Sequence, residues 1–136
     1  MVTVDTSALL ASMNSADPDF HAVTDVLRDA PALIVPAGIM AEVTFMITHR
    51  FGDHRVSQFL RSLINGEVNV QWEASDLSRV LHLVDRYHDL PLGFADAAVI
   101  ACAERNGGNL LTLDHRHFGV VAREGTIQIL PGFQLT

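Results

Sequence analysis

Five short runs of apolar or alternating residues, separated by longer amphipathic stretches, dominate the pattern of this chain. Runs of this length are typical of β-strands, and continuous apolar runs are typical of parallel strands that are buried on both faces. The run before Pro36 is continuous, whereas the run that ends at Trp72 alternates. The predicted strands are residues 2–4, 32–35, 68–72, 109–113 and 126–130.

Between the predicted strands, apolar residues recur at spacings of three and four, which predicts helices with one buried face. Asp17-Pro18-Asp19 predicts a helix start with Asp17 as N-cap, and Ser75 is expected to cap a later helix. Asn14 is expected to end the first helix in the left-handed conformation. Residues 115–125 are interpreted as a polar segment. The predicted helices are 6–13, 18 to about 30, 38 to about 50, 56–64, 77–84 and 94–106.

This alternation of strands and helices predicts an α/β fold, a three-layer α/β/α sandwich with a central, mainly parallel sheet of about five strands. Right-handed crossovers then place the carboxyl ends of the strands at one edge, where open sheets bind ligands. The helix over 94–106 is apolar nearly all round and is expected to be central and closely packed. We see no internal repeat and no linker, so we expect a single domain over residues 1–136.

Charge and cysteine content exclude several classes of protein. The net charge is −7 and the nine basic residues are all Arg, so the overall field does not attract nucleic acid. Cys102 is the one cysteine. A single cysteine excludes an internal disulfide and argues against a cysteine-based zinc site. No apolar run is long enough for a membrane helix, and we expect no targeting peptide because a strand begins almost at Met1. The expected location is the cytoplasm.

Four of the acidic residues occupy unusual positions. Asp5 and Asp114 each follow a predicted strand directly. Glu42 lies about one turn into the helix after the second strand, and Asp96 lies in the first turn of the central helix. Taken singly, Asp5 is as well explained as a helix cap, Asp96 as an acid favoured by the helix dipole, Glu42 as a solvated residue and Asp114 as a turn residue. The topology, however, directs all four to one edge of the sheet.

Four carboxylates at one edge favour a hard divalent cation, because they cannot all remain ionised without a counter-charge. Mg²⁺ or Mn²⁺ suits an oxygen ligand set better than zinc does. Such an ion activates a water molecule and stabilises charge on a phosphoryl oxygen, so a phosphodiester is the natural substrate. Ser7 and Thr112 lie two residues from Asp5 and Asp114 and are candidates to support these ligands; the alternatives are an ordinary helix residue and an ordinary strand residue.

Four segments, taken in order, resemble the PIN-domain family and in particular its VapC-type toxins of type II toxin–antitoxin systems. They are Asp5-Thr6-Ser7-Ala8-Leu9-Leu10, Ala41-Glu42-Val43, Phe94-Ala95-Asp96-Ala97 and Leu111-Thr112-Leu113-Asp114. The resemblance covers essentially the whole chain. It implies a PIN-like fold and a Mg²⁺- or Mn²⁺-dependent endoribonuclease.

The resemblance also implies which residues act and with what the protein assembles. Asp5, Asp96 and Asp114 would bind the metal, with Glu42 bound directly or through water, and Ser7 and Thr112 would support them. The implied partners are an RNA substrate, a second copy of the chain in a homodimer, and a VapB-type antitoxin whose C-terminal segment covers the acidic groove.

One departure from the family pattern concerns the segment after Asp114. Relatives commonly carry a further acid there, whereas this chain has His115-Arg116-His117-Phe118. One firmly held ion is therefore expected. His117 is interpreted as a solvated loop residue, with contact to substrate or antitoxin as the alternative.

Arginines near the site are the candidate RNA contacts. Arg50, Arg55 and Arg61 are close together in the sequence, and Arg116 and Arg123 flank the Asp114 loop. We consider Arg50, Arg55 and Arg116 as contacts to phosphates, and a solvated helix face as the equal alternative. Cys102 is expected to be a buried structural thiol.

Other functions fit the pattern less well. A phosphatase with a nucleophilic Asp would carry a second acid at position 7, where this chain has Ser7. A receiver-type signalling domain requires paired acids after the first strand and a late Lys, and the chain contains no Lys. A degenerate member that only binds a partner is opposed by the intact set of four acids, and a PIN-type nuclease of RNA processing without a toxin role stays open.

Overall fold

The computed structural model describes residues 1–132 of the chain, and within them five strands form one parallel sheet. The order across the sheet is β3-β2-β1-β4-β5, and all four pairings are parallel. The predicted parallel sheet of about five strands is thus confirmed. The strands are β1 Val2–Val4, β2 Leu33–Pro36, β3 Asn69–Gln71, β4 Asn109–Leu111 and β5 Gln128–Leu130.

Helices connect the strands. The helices of the described chain are α1 Thr6–Ser12, α2 Phe20–Asp29, α3 Met40–Phe51, α4 Asp53–Ile64, α5 Leu77–Arg86, α6 Phe94–Arg105 and α7 His115–Ala122. They form two groups: in one, α1 packs on α2 and α3, and α3 packs on α4; in the other, α6 packs on α5 and α7. Short 3₁₀ turns over Ala37–Ile39 and Ala74–Asp76 precede two of the helices.

The central position predicted for the helix after Gly93 is confirmed. Every residue of α6 from Ala97 to Ala103 is buried, and the helix lies against β1, β2 and β4. Small side chains permit this close approach: a Cβ placed on Gly38 would lie 2.9 Å from the Cβ of Ala98. The thiol of Cys102 is buried, as expected, and burial raises its pKa.

Three predicted helix ends differ in the structure. Asp17 does not cap α2, because its Oδ1 accepts from the Asp19 N–H at 2.8 Å and its carbonyl accepts from the Phe20 N–H at 3.0 Å, so the segment forms a turn before the helix. Asn14 is not left-handed, since none of the described non-glycine residues has a positive φ. Ser75 lies inside a 3₁₀ turn, and within the described chain α5 receives no side-chain cap.

The predicted extension of the fourth strand to residue 113 and the interpretation of residues 115–125 as a polar segment are both wrong. β4 ends at Leu111, so Asp114 follows the strand by three residues, and it is the N-cap of a helix, α7. Phe118 and Val121 are buried at helical spacing on that helix.

In the described part of the chain, no helix combines the length and the apolar character that a membrane span requires.

Candidate active site

A cleft of about 600 Å³ opens at the carboxyl edge of the sheet and collects the four predicted acids. Asp5 follows β1, Asp114 follows β4, Glu42 is in the first turn of α3 and Asp96 is in the first turn of α6. The right-handed connections of the parallel sheet bring these four positions to the same edge. The cleft is lined by Asp5, Thr6, Ser7, Leu10, Ala11, Asn14, Asp17, Glu42, Met46, Arg50, Phe51, Asp96, Leu113 and Asp114.

Asp5 is the most deeply buried of the four carboxylates, with 7% of the residue exposed. Its Oδ2 accepts hydrogen bonds from Ser7 Oγ at 3.0 Å and from Thr112 Oγ1 at 2.9 Å. Although Asp5 occupies the N-cap position of α1, its side chain makes no cap bond to the described helix. Burial raises the pKa of Asp5, and the two hydroxyl donors oppose that rise. Asp5 is thus the N-cap residue of α1 by position, and the side-chain bonds to its carboxylate come from the hydroxyls of Ser7 and Thr112.

Two hydroxyl groups tie the Asp5 and Asp114 segments together. Ser7 Oγ lies 3.2 Å from Thr112 Oγ1 and accepts from the Leu113 N–H at 2.9 Å. Thr112 Oγ1 in turn accepts from the Asp114 N–H at 3.0 Å. These bonds engage both the Asp5 carboxylate and the backbone that follows β4. Ser7 and Thr112 therefore fix the segments of Asp5 and Asp114 relative to each other.

The pKa of Asp96 depends on its burial and on the charges of the other groups in the cleft. Its pKa is raised to about 6: burial is the largest cause, the charge of His117 opposes the rise, and the charges of Asp5, Asp114 and Glu42 add to it. The other three acids therefore act on Asp96 across the cleft. Glu42 is exposed at the rim, where its Oε2 accepts from Thr6 Oγ1 at 3.1 Å.

His117 is not the solvated loop residue that the sequence suggested. It lies in the first turn of α7 with 23% of its side chain exposed, and its Nδ1 is 2.8 Å from Asp114 Oδ2 and 3.9 Å from Asp96 Oδ2. Its backbone N–H also donates to Asp114 Oδ1 at 3.1 Å. Burial acts to raise the pKa of Asp114, but these bonds from His117 hold it below its usual value.

The candidate arginines are not brought together. Arg50 lines the acidic cleft, whereas Arg55 donates to the Met13 carbonyl at 2.9 Å and lies over the Phe51 ring, beside a separate apolar cavity. Arg116 is exposed on α7. Arg55 is thus held by the fold, outside the lining of the acidic cleft.

Asp17 is an acid of the cleft that the sequence interpretation missed. It was assigned to a helix start, but the turn before α2 places it among the lining residues together with Asn14. The Asp-Pro-Asp pattern is equally typical of a turn, and this was the available signal.

The donor set fits a hydrated cation. Five carboxylates, those of the four predicted acids and of Asp17, line the cleft together with Arg50, which is the one arginine of that lining in the described chain, so negative charge is in excess there. Within residues 1–132, no three acidic, His or Cys side chains converge closely enough to enclose a bare ion. Mg²⁺ needs no such enclosure, because it commonly keeps several waters and takes one or two carboxylates directly.

Comparison with protein families and characterised proteins gives consistent matches. The model of the PIN domain family matches residues 2–124. Ribonuclease VapC26 of Mycobacterium tuberculosis (strain ATCC 25618 / H37Rv) is 35% identical over 125 residues, which is 87% of this chain and 90% of that protein.

Solved structures show the same fold at lower identity. VapC20 of Mycobacterium tuberculosis, described as a sarcin-ricin loop cleaving toxin, superposes with a TM-score of 0.76 at 18% identity and covers 88% of this chain and 95% of its own. A chain of VapBC2 from Rickettsia felis, bound to a DNA fragment from its promoter, gives a TM-score of 0.68 at 12% identity and covers 95% and 97%. FitAcB from Neisseria gonorrhoeae gives 0.64 at 14%, covering 95% and 96%.

Proposed function

This chain belongs to the PIN-domain family, and we propose that it is a metal-dependent endoribonuclease that acts as the toxin of a VapBC-type toxin–antitoxin pair. The observation that carries the proposal is the convergence of Asp5, Glu42, Asp96 and Asp114 on one cleft. The 35% identity to a ribonuclease supports the choice of RNA as substrate.

In this proposal the carboxylates bind Mg²⁺ or Mn²⁺, some directly and some through water. We assign Asp5, Asp96 and Asp114 to the ion, one or two of them as direct ligands and the rest through its waters, and Glu42 either directly or through water. When bound, the ion would lower the pKa of a water molecule and offset charge on the phosphoryl oxygens. Both hydroxyl donors to Asp5 end on Oδ2, so Oδ1 is the oxygen we assign to the ion.

Ser7 and Thr112 serve as orienting groups in this proposal. Their hydroxyls oppose the rise in the pKa of Asp5 that burial causes, and they fix the rotation of its carboxyl group. The same hydroxyls hold the backbone of Leu113 and Asp114, so the distance between two ligands is set before a cation arrives. Arg50, on the cleft wall, is placed to contact an RNA phosphate.

The proposed partners follow from the VapC-type relatives. We propose a VapB-type antitoxin as inhibitor, a homodimer as the working unit, and the cytoplasm as the location. A PIN nuclease of RNA processing would share the cleft and the chemistry. Expression of the chain without an antitoxin distinguishes the two, because a toxin arrests growth and a processing enzyme does not.

The decisive experiment is incubation of the purified protein with cellular RNA in Mg²⁺, in Mn²⁺ or in chelator, followed by mapping of the cut ends. We expect discrete internal cuts in either metal and none in chelator. Cleavage that persists in chelator would rule out the metal-dependent mechanism, and intact RNA under every condition would rule out the nuclease.

A further inference from the structure

Two large aromatic side chains are exposed at the same edge of the sheet as the acidic cleft. Trp72 is 49% exposed and Phe94 is 50% exposed. Trp72 directly follows β3, and Phe94 is the first residue of α6. Neither residue has a part in the proposed chemistry.

Both rings border the turn over Ala37–Ile39. A Cβ placed on Gly38 would lie 3.5 Å from Phe94 Cε1, so the ring of Phe94 rests near the backbone of that turn. Trp72 and Gly38 line the same narrow crevice. The two aromatic residues, one just after β3 and the other at the start of α6, therefore flank the same short segment of backbone.

The backbone that carries Trp72 is firmly held. Gln71 pairs with Pro36 in the sheet, and its Oε1 accepts from Arg105 Nη1 and from Asn106 Nδ2, both at 2.9 Å. These bonds fasten the end of β3 to the end of α6. Since Phe94 begins the same helix, the two aromatic positions are fixed relative to each other without a ligand.

The aromatic residues and the carboxylates lie at the same edge of the sheet. Phe94 precedes Asp96 by two residues in the first turn of α6, so their side chains leave the helix on different faces, and Glu42 lies one turn beyond Gly38. The sheet order places the end of β3 two strands from Asp5, a separation of about 10 Å at the usual spacing of strands. A few nucleotides of one strand, at about 3.4 Å each, span a separation of this size.

We propose that Trp72 and Phe94 form a stacking platform for unpaired bases of the RNA beside the cleaved bond. This inference rests on the proposed ribonuclease function and specifies its substrate as single-stranded RNA. Bases that are splayed from a single strand stack on exposed aromatic rings, whereas paired bases cannot.

The test uses fluorescence, because Trp72 is the one tryptophan of the sequence. The protein is titrated in chelator with a short single-stranded 2′-O-methyl RNA, so that no cleavage occurs. We expect quenching of Trp72 on binding, and little quenching by a strand of equal length without bases. Phe94→Leu is expected to weaken binding by about tenfold, whereas Phe94→Tyr retains it, and Phe45→Leu, which alters an aromatic residue 71% exposed on α3, leaves it unchanged.

The outcomes separate the platform from the nuclease. Equal quenching by the baseless strand, or equal affinity of wild type and folded Phe94→Leu, would overturn the platform even if the enzyme cuts RNA. Base-dependent quenching in a protein that cuts no RNA would support the platform and reject the nuclease. A change in molar mass by light scattering for Trp72→Leu, with RNA binding unaltered, would identify these rings as a protein interface and reject the platform.

Discussion

Thr112 Oγ1 lies 2.9 Å from Asp5 Oδ2, and this hydrogen bond joins the chain just after β4 to the carboxylate that follows β1. The two residues are 107 positions apart in the sequence. Thr112 is fully buried and Asp5 nearly so, which makes the bond a defined link inside the wall of the cleft. Because a buried carboxylate depends on its donors to remain ionised, this link affects both the stability and the cation affinity of the protein.

Thr112→Val is the first test of that link. The substitution keeps the shape of the side chain but removes a donor to a buried charged group, so we expect the free energy of unfolding to fall by about 1.5–3 kcal/mol. We also expect weaker Mn²⁺ binding, by about 10–100-fold, because the orientation of Asp5 is lost. Urea titration and calorimetry measure the two effects.

Thr3→Val is the matched control on the neighbouring strand β1. Thr3 is as buried as Thr112, but within the described residues its Oγ1 makes no hydrogen bond to an oxygen or nitrogen atom and interacts instead with the thiol of Cys102, a weak hydrogen-bonding group. Its removal is expected to leave the free energy of unfolding unchanged or slightly higher. If both variants lose the same stability, the Thr112–Asp5 bond has no special role.

Asp5→Asn and Asp96→Asn test the assignment of the metal ligands. Each change keeps the side-chain volume and removes a charge that the cation would neutralise, so we expect RNA cleavage to fall by at least about a hundredfold. In chelator the variants should be no less stable than wild type, because a buried carboxylate among other carboxylates favours unfolding. Cleavage at the wild-type rate by a folded, pure variant would contradict the assignment.

The parts of the fold and site that could be predicted are those set by short-range pattern. Asp5 directly follows a buried strand and Asp96 opens a helix apolar nearly all round, so their edge of the sheet follows from the parallel topology alone. The same reasoning placed Glu42 and Asp114 at the cleft. Ser7 and Thr112 were identified by their spacing from these acids.

The features that could not be predicted depend on contacts between distant segments or on ambiguous turns. Arg55 was counted with Arg50, but its guanidinium is engaged by the carbonyl of Met13, 42 residues away. His117 approaches Asp96 only because a helix begins after Asp114. The sequence around His117 is too polar for its apolar periodicity to predict that helix. Asp17 enters the cleft because an Asp-Pro-Asp segment forms a turn where it can equally begin a helix.

Glu124→Gln tests a network that joins three helices at some distance from the cleft. Glu124 accepts from the Tyr87 hydroxyl and pairs with Arg79, which also pairs with Glu104. The bond from Tyr87, followed by that from Arg79, holds the pKa of Glu124 below its ordinary value. A lowered pKa in the folded state means that Glu124 stabilises the protein above its unfolded pKa of about 4.5, and that this stabilisation is lost as the pH falls through the folded pKa.

We therefore expect Glu124→Gln to be less stable than wild type at pH 7 by about 1 kcal/mol, and the difference to vanish in acid. Urea unfolding at a series of pH values measures it. Asp25→Asn is the control, because the Asp25–Arg28 pair is exposed and should contribute nothing measurable. A stability difference that is constant with pH would show that Glu124 acts by packing alone.

His117→Asp tests why this cleft is expected to hold one firmly bound ion. His117 Nδ1 occupies the space between Asp114 and Asp96, where relatives commonly place a further acid nearby. A carboxylate at this position adds an oxygen ligand and a negative charge, so we expect Mn²⁺ to bind several-fold more tightly, or a second ion to bind in calorimetry. In chelator the same variant should be less stable than wild type, because the new charge faces Asp96 and Asp114 without compensation.

His82→Asp, an exposed substitution on α5, makes the same change of residue away from the cleft and should alter neither property. Unchanged Mn²⁺ affinity and stoichiometry in His117→Asp would place the ion on the Asp5 side of the cleft, out of reach of α7.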